Sequence, residues 1–493
     1  MDRIDERDDA RKRNDGLAAL EGEVRRDLER LNLPAADWTR PGGPPGGAAD
    51  PDVLVVGAGM CGQTAAFGLL RDGVRKLRLV DRAPPGLEGP WGTYARMETL
   101  RSPKHLTGPD LGIPSLTFRA WYEALHGADG WASLYKVWRL DWLRYLVWVR
   151  RMVGLTVESG VEMLSLTVEG GAPRVELRTP AGVETVRPRK VVLALGRDGS
   201  GGSRWPRFAS FEPESPHARG RVFHTSDDID FAALRGKRIG VLGAGASAFD
   251  NAGCALEAGA AEVTMFARRP ALPQVNKSKA ASFPGFQRGY AGLPDDLRWR
   301  FTTYLFDEQS PPPHESVLRC DRHDGFSLRL GETWSDLSID PDGVRATTSA
   351  GARRFDAVII ATGFDVDVAE RPELESLREH VTLWAHRRPP AEVAAYPDVA
   401  RFPYLGPAFE FLPREPGACP GLSDIHVFNW GSYVSLGALA GDIPGLGVGA
   451  TRLADAIVRD LFVADAEAHW RRLVDHEDPE LAPTRYFVPR ERR

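Results

Sequence analysis

After a densely charged leading segment, short apolar runs alternate with amphipathic stretches along most of the chain. DVLVVGAG (52–59) is an apolar run that ends in glycines, QTAAFGLLRDG follows at helical spacing, and LRLVDR (77–82) is a second apolar run. Runs of this kind, separated by helical patterns, predict buried parallel strands joined by crossover helices. VVLALG (191–196) predicts another such strand, and 199–206 a connection. The pattern then restarts. KRIGVLGAGASAFDNAGCALEAG (237–259) again reads as strand, glycine turn and helix, EVTMFARR (262–269) as the next strand, and FDAVIIATGF (355–364) as the last of this set. Near the end, LSDIHVFNWG (422–431) is strand-like and GLGVGATRLADAIVRDLF (445–462) predicts a long helix. The expected class is α/β, built from two strand–glycine–helix units.

The flanking segments predict plainer structure. Leu17, Leu20, Val24, Leu28 and Leu31 recur at helical spacing within polar residues 1–32, which predicts one amphipathic helix docked on the body. RPGGPPGGAAD (40–50) predicts a linker. Trp138, Trp142, Tyr145 and Val149 share a helical face in a stretch that also holds Trp121, Trp131 and Trp148. An aromatic stripe of this kind predicts core.

Composition narrows the function classes. The 493 residues, with 63 Lys+Arg against 68 Asp+Glu, carry a formal charge of −5, so no basic surplus exists to meet nucleic acid. The four cysteines (Cys61, Cys254, Cys320, Cys419) are far apart and form no CxxC pair, which argues against a disulfide framework, a redox dithiol and a Cys-rich metal site. The 11 histidines are scattered without ligand spacing, so no metal is expected. The leading segment lacks the apolar stretch of a signal peptide and no run of 18 apolar residues occurs, so a cytoplasmic protein without a membrane span is expected. No GxSxG elbow is present, which removes an α/β-hydrolase reading. The 51 glycines take meaning only from position.

The first glycine cluster, Gly57-Ala58-Gly59-Met60-Cys61-Gly62, follows a strand, opens a helix, and meets Asp81 and Arg82 at the end of the next strand. Gly57 permits the tight turn, Gly59 lets a pyrophosphate approach the backbone, and Gly62 allows close helix–strand contact. The helix N-terminus offers unpaired N–H groups, and Asp81 can accept a ribose hydroxyl. The second cluster, Gly243-Ala244-Gly245-Ala246-Ser247-Ala248, has the same setting, but its next strand ends in Arg268-Arg269. Guanidinium groups there suit a 2′-phosphate that a carboxylate would repel. The two units therefore read as Rossmann-like, the first for an adenine dinucleotide with a free ribose and the second for NADPH. Two such sites in one chain suit hydride transfer from nicotinamide to a flavin, so FAD and NADPH are the expected cofactors.

At this point the chain resembles the class B flavoprotein monooxygenases, over roughly residues 50–460. Glu88-Gly89-Pro90-Trp91 stands where that family has GGxW beside the flavin, with proline interrupting the glycines. Asp356 with Ala361-Thr362-Gly363-Phe364 is similar to the family's ATG signature. ARGRVFHTSDDIDF (218–231) resembles its FxGxxxH motif: Gly220 and His224 match, whereas Ala218 and Asp228 depart. The resemblance implies that Trp91, His224, Thr362, Gly363 and Asp442, in Gly441-Asp442-Ile443-Pro444, belong to cofactor binding. It also places the N-terminus of the last long helix against the flavin pyrimidine. The expected division is an N-terminal helical arm and linker over 1–50, FAD-binding parts over 51–203 and 356–493, and an NADPH-binding domain inserted between them over 204–355.

LRSPKHL (100–106) lies where relatives carry an asparagine near the flavin, and aligning on Lys104 puts Arg101 at that position. Arg101, Lys104 and Asn276 are the candidate catalytic residues, and Arg101, Lys104, Lys277 and Lys279 form a basic set suited to an anionic substrate. The resemblance implies that NADPH reduces FAD, that O2 adds to give a C4a-hydroperoxide, and that one oxygen passes to the substrate. Within the family, the basic set and the NWGS and GDIP motifs resemble N-monooxygenases of small amino acids, such as those converting aspartate to nitrosuccinate. Baeyer–Villiger or sulfur oxygenation of a neutral molecule, and a non-catalytic dinucleotide sensor, are the alternatives. The expected partners are a small-molecule substrate and O2, with self-association left open.

Overall fold

The computed structural model describes residues 2–39, 50–105, 108–481 and 484–486. Of the expected linker only Asp50 falls within that range. Two five-stranded sheets, parallel throughout, organise the molecule. The first runs in the order Ile425–Val427, Lys190–Leu193, Val53–Val56, Leu77–Asp81, Glu158–Ser159. The second runs Phe326–Leu330, Glu262–Ala267, Arg238–Leu242, Ala357–Ile360, Val222–His224. Val53–Val56 and Ala357–Ile360, and the strand Lys190–Leu193 from Val191 on, are buried at every position, which is why they read as unbroken apolar runs. The helix Met60–Arg71 lies along the helix Leu446–Ala464, and Gly68 lets them approach: a Cβ there would meet the Ala454 Cβ at 3.2 Å.

Three sequence expectations change. The strand Ala357–Ile360 pairs with Arg238–Leu242 and Val222–His224, so the second sheet runs past the boundary drawn at 355/356. Trp138 is not on the aromatic face; it is the residue before the helix Arg139–Met152 and is half-exposed, while Trp142, Tyr145 and Val149 are buried. Leu31 lies beyond the arm helix Asp2–Arg30 and is exposed, whereas Leu20 and Val24 are buried. The rest of the aromatic stretch is core, with Phe118 lying 5.7, 5.8 and 5.4 Å from the rings of Trp121, Trp142 and Tyr145. The arm docks on the helix Phe118–Ser133, where a Cβ on Gly16 would sit 2.2 Å from the Ala124 carbonyl oxygen. Two three-stranded antiparallel sheets, spanning 162–186 and 334–355, complete the fold.

Candidate active site

In an open parallel sheet, ligands collect beyond the C-terminal ends of the strands. Here the segment 88–101 touches residues just past the strand ends of both sheets. Tyr94 donates to Asp198 on the first side at 3.1 Å, and its ring lies 6.1 Å from Phe364 on the second. Arg96 donates to the Thr225 and Asp227 carbonyls at 2.9 and 2.6 Å, just past the strand Val222–His224.

The two glycine turns are built alike. Gly57 has φ +97° and a Cβ there would lie 2.5 Å from the Ala194 carbonyl oxygen; Gly243 has φ +125° and would meet the Ala361 oxygen at 2.4 Å. Only glycine fits either position. Gly62 is equally constrained, since a Cβ would fall 1.7 Å from the Gly57 oxygen, whereas the matching Ala248 already carries one. Asp81 laces the first turn: its carboxylate accepts from the Ala58 and Ala83 N–H groups at 2.7 and 2.8 Å, while burial pushes its titration upward. A Cβ on Gly59 would lie 3.5 Å from the Gly89 Cα, and Glu88 is anchored by Arg150 at 2.8 Å, so the EGPW turn lies beside the phosphate turn. Trp91 is half-buried, with an indole N–H that has no partner among the described residues. Arg82 is exposed and pairs with Asp198 at 3.1 Å.

The second turn is open. Gly245 and Ser247 are exposed, and a Cβ on Gly245 would meet nothing within 4 Å. Arg268 is exposed without a partner among the described residues, but Arg269 donates to the Asp307 carbonyl at 2.7 Å, so one guanidinium of the expected pair is committed. His224 has no accessible surface. Its ring nitrogens meet the Ser226 hydroxyl at 2.6 Å and the Gly363 carbonyl at 3.0 Å, and burial lowers its pKa. It therefore braces the Thr362-Gly363 turn from beneath, which corrects its place among groups touching cofactor. The Thr362 hydroxyl donates to the Arg204 carbonyl, and the Arg204 N–H to Gly363 at 2.9 Å.

The expected basic set separates. Arg101 donates to the Pro311 carbonyl at 3.1 Å and keeps accessible surface, yet burial lowers its pKa. Lys104 instead donates to the Trp131 and Ala132 carbonyls at 2.6 and 3.3 Å, over the Trp131 ring. Lys277 lies over Tyr304 and Lys279 is exposed. Asn276 caps a short turn by accepting from the Ser278 N–H at 3.1 Å, close to Ser310 beside Pro311. Arg101 is thus joined by a residue not picked out in the sequence, Arg197. Its guanidinium sits 3.9 Å from the centroid of the Trp430 ring; the residue, like Arg101, is exposed, and desolvation lowers its pKa. Asp442 feels both cations: burial raises its pKa, and Arg197 and Arg101 pull it back. A charged residue directly after the ALG run was the available signal.

Both phosphate-turn helices begin without any side-chain cap, at Gly59 and Gly245. Their first N–H groups and the glycine cradles fit the pyrophosphates of two dinucleotides. The FAD-NAD(P)-binding family model matches residues 54–198. Over 465 residues, 94% of this chain and 97% of the other, the sequence is 40% identical to the FAD-dependent urate hydroxylase of Xanthomonas campestris pv. campestris. The chain belongs to the class B flavin-dependent monooxygenases.

This monooxygenase uses FAD and NADPH, and its fold is shared with solved relatives. The reduced ornithine hydroxylase of Pseudomonas aeruginosa is similar at a TM-score of 0.64 and 18% identity, covering 84% of this chain and 100% of that one. The cadaverine monooxygenase of the desferrioxamine pathway from Erwinia amylovora is similar at 0.60 and 14% identity, over 90% and 100%. Among the described residues of the monooxygenase, no group of three or more His, Cys, Asp or Glu is placed to hold a metal, and no helix is long and apolar enough to cross a membrane.

Proposed function

We propose that this monooxygenase places one oxygen atom of O2 on a small, planar, anionic nitrogen heterocycle of the urate type, seated between Arg101, Arg197 and Asp442. The observation that carries this reading is the charge of the cavity. Arg101 and Arg197 keep accessible guanidinium groups, and both lie within electrostatic reach of Asp442, so the site carries one more positive than negative charge and suits an anion. The likeness to a urate hydroxylase over nearly the whole chain supports the substrate class.

Gly57, Gly59 and Gly62 would hold the FAD pyrophosphate, with Asp81 and Arg82 toward its adenosine end and Trp91 and Asp442 toward its ring. Gly243, Gly245 and Ser247 would hold NADPH, with Arg268 on the 2′-phosphate and Thr362-Gly363 along its path. Bound FAD, reduced by NADPH, supplies the activation of O2; one oxygen enters the substrate and the other leaves as water. The chain's own part is positioning and shielding. Arg101 and Arg197 orient the anion, Tyr94, Trp430 and Tyr433 wall the cavity against water, and Asp442 is placed to hold a proton at its carboxyl beside the substrate.

The test is NADPH consumption by FAD-loaded protein under labelled O2, screened over urate, xanthine, L-aspartate, L-ornithine and cyclohexanone. Urate-type anions are expected to stimulate consumption and to yield a product carrying one labelled oxygen. Stimulation by aspartate or ornithine alone would replace this reading with N-oxygenation of a small amino acid. Turnover of the neutral ketone alone would defeat the charge argument.

A further inference from the structure

A cleft of about 1080 Å³ runs beside the helix Leu446–Ala464, and residues of 108–117 and of the short helix Pro284–Gly289 also line it. Its lining includes neither glycine turn, and Arg101, Arg197 and Asp442 are not part of it. A volume of that order is at the upper end for small-molecule sites, roughly 300–1,000 Å³. The long helix creates one wall by dividing its faces. Ala450, Leu453, Ala454 and Ile457 are buried, while Thr451, Arg452 and Asp455 on the adjoining face are left to the cleft.

The walls are fixed to one another. The Gln287 amide donates to the Pro444 carbonyl at 2.8 Å, and Arg452 Nη2 donates to the Arg288 carbonyl at 2.8 Å, so the short helix is tied to the long one. Pro114, Pro284, Pro407 and Pro444 stand around the opening, and a proline ring locks the backbone that carries it. The cleft is therefore formed before a ligand arrives, which removes part of the ordering cost of binding.

Charge gives the ligand its class. Among the charged lining residues, Asp110 spends its carboxylate on the Gly108 and Gly112 N–H groups at 2.8 and 2.9 Å, and Arg459 pairs with Asp460 at 2.8 Å. Arg288, Arg452 and Asp455 are left. Arg288 and Asp455 are exposed, and their side chains have no partner among the described residues. Arg452 is half-buried, and its Nη1 is shielded from solvent with no partner among the described residues. An enclosed, unpaired cationic N–H is costly. Because a guanidinium spreads its charge over three nitrogens, an anion beside any of them offsets that cost. Two cations against one carboxylate leave a single positive charge, among walls to which Leu111, Val448 and the prolines give apolar surface.

We propose that this cleft binds a small organic monoanion, a carboxylate carried on an apolar ring or chain, with the carboxylate at Arg452 and Arg288 and the apolar body against the prolines. The site is separate from the one around Arg101 and does not depend on the identity of the oxygenated substrate.

The test is isothermal titration calorimetry of protein loaded with FAD and NADP+, using 1-naphthoate and its neutral analogue 1-naphthalenemethanol. The anion is expected to bind at least several-fold more tightly than the alcohol. Arg452→Gln should raise its Kd by about tenfold, as for loss of one charged hydrogen bond, and the exposed Arg288→Gln by about threefold. Thr451→Phe, which places a ring in the cleft, should raise it at least tenfold. Asp455→Asn should lower it by about two- to fivefold, since it removes an exposed like charge. A merely structural role for these residues would not produce that opposite sign. Far-UV circular dichroism and the flavin-to-protein absorbance ratio show whether each variant is folded and loaded; if Arg452→Gln is not, the other three variants decide. Affinity within twofold of wild type in Thr451→Phe and Arg288→Gln overturns the proposal. So does equal affinity for the alcohol, or a wild type that binds no 1-naphthoate. Binding that persists in the cleft variants but is lost in Arg101→Gln would move the anion to the other site and also overturn it.

Discussion

Arg101 and Lys104 are three positions apart and equally basic in the sequence, yet they meet opposite surroundings. Arg101 keeps an exposed side chain within electrostatic reach of Asp442, whereas Lys104 is spent on two carbonyls at the end of a helix. Arg101→Ala is therefore expected to raise KM for an anionic substrate by roughly tenfold, with a smaller effect on kcat, as for loss of one charged contact. Lys104→Ala is expected to lower Tm by a few degrees while KM stays within twofold; the reverse ranking in steady-state kinetics would undo this assignment. His426 gives a pH prediction. It is buried, its Nδ1 meets the Ala408 carbonyl at 2.8 Å, its Nε2 has no partner among the described residues, and burial lowers its pKa to about 4. An unfolded histidine titrates near ~6.5. Between those values the unfolded chain binds a proton that the folded one refuses, so this contribution is complete above ~6.5 and declines by about 1.4 kcal/mol per pH unit as pH falls. Asp250, pushed up to about 6 by burial, works in the opposite sense below that pH. The check is therefore the difference between wild type and His426→Asn in urea unfolding from pH 7 to 4.5. Parallel curves would refute it. None of these surroundings is written in residue type; each depends on which carbonyls and rings arrive from distant segments.

At the scale of elements, the sequence was most legible where backbone geometry allows one residue only. The strand–turn–helix units follow from apolar runs and from glycines that must lack a Cβ, and the structure shows the collisions that enforce them. The two helix starts differ in a testable way. Gly62→Ala puts a methyl 1.7 Å from the Gly57 oxygen, so it should yield protein that is poorly soluble or without FAD, read by the visible flavin spectrum. Gly245→Ala meets nothing in the protein and has an ordinary φ of −83°, so Tm should hold within about 2 °C, consistent with the small cost of an unstrained surface change. Its methyl does occupy the path of a pyrophosphate, so KM for NADPH should rise at least several-fold; an unchanged KM would mean that the cofactor does not approach there. The antiparallel hairpins at 162–186 and 334–355 were not legible. Their strands mix charged and apolar residues, as in APRVELRT, and only packing decides which face is covered.

At the scale of the molecule, two sheets must hold their strand ends toward each other for hydride to pass between cofactors. Arg96 spans that gap: it leaves the first unit beside Tyr94, donates to two carbonyls of the second, and has its own carbonyl held by Arg319 at 3.0 Å. Arg96→Ala is expected to slow FAD reduction by NADPH by roughly tenfold, because misplacement of reactants is costly in rate, and to divert more NADPH to hydrogen peroxide. Anaerobic stopped-flow and a peroxide assay measure both; a normal reduction rate with a lowered Tm would reduce Arg96 to a structural brace. The sequence by itself determined the strand–turn–helix units, the two dinucleotide turns and the family, since these depend on local patterns of apolar residues and on glycines without substitutes. Only the tertiary structure decided that the strand Ala357–Ile360 belongs to the second sheet, that His224 is a buried brace, that the basic set disperses, and that Arg197 comes within electrostatic reach of Arg101. The physical reason is distance along the chain. Arg197 and Trp430 are brought together because they follow two paired parallel strands, and no local pattern encodes which turns become neighbours there.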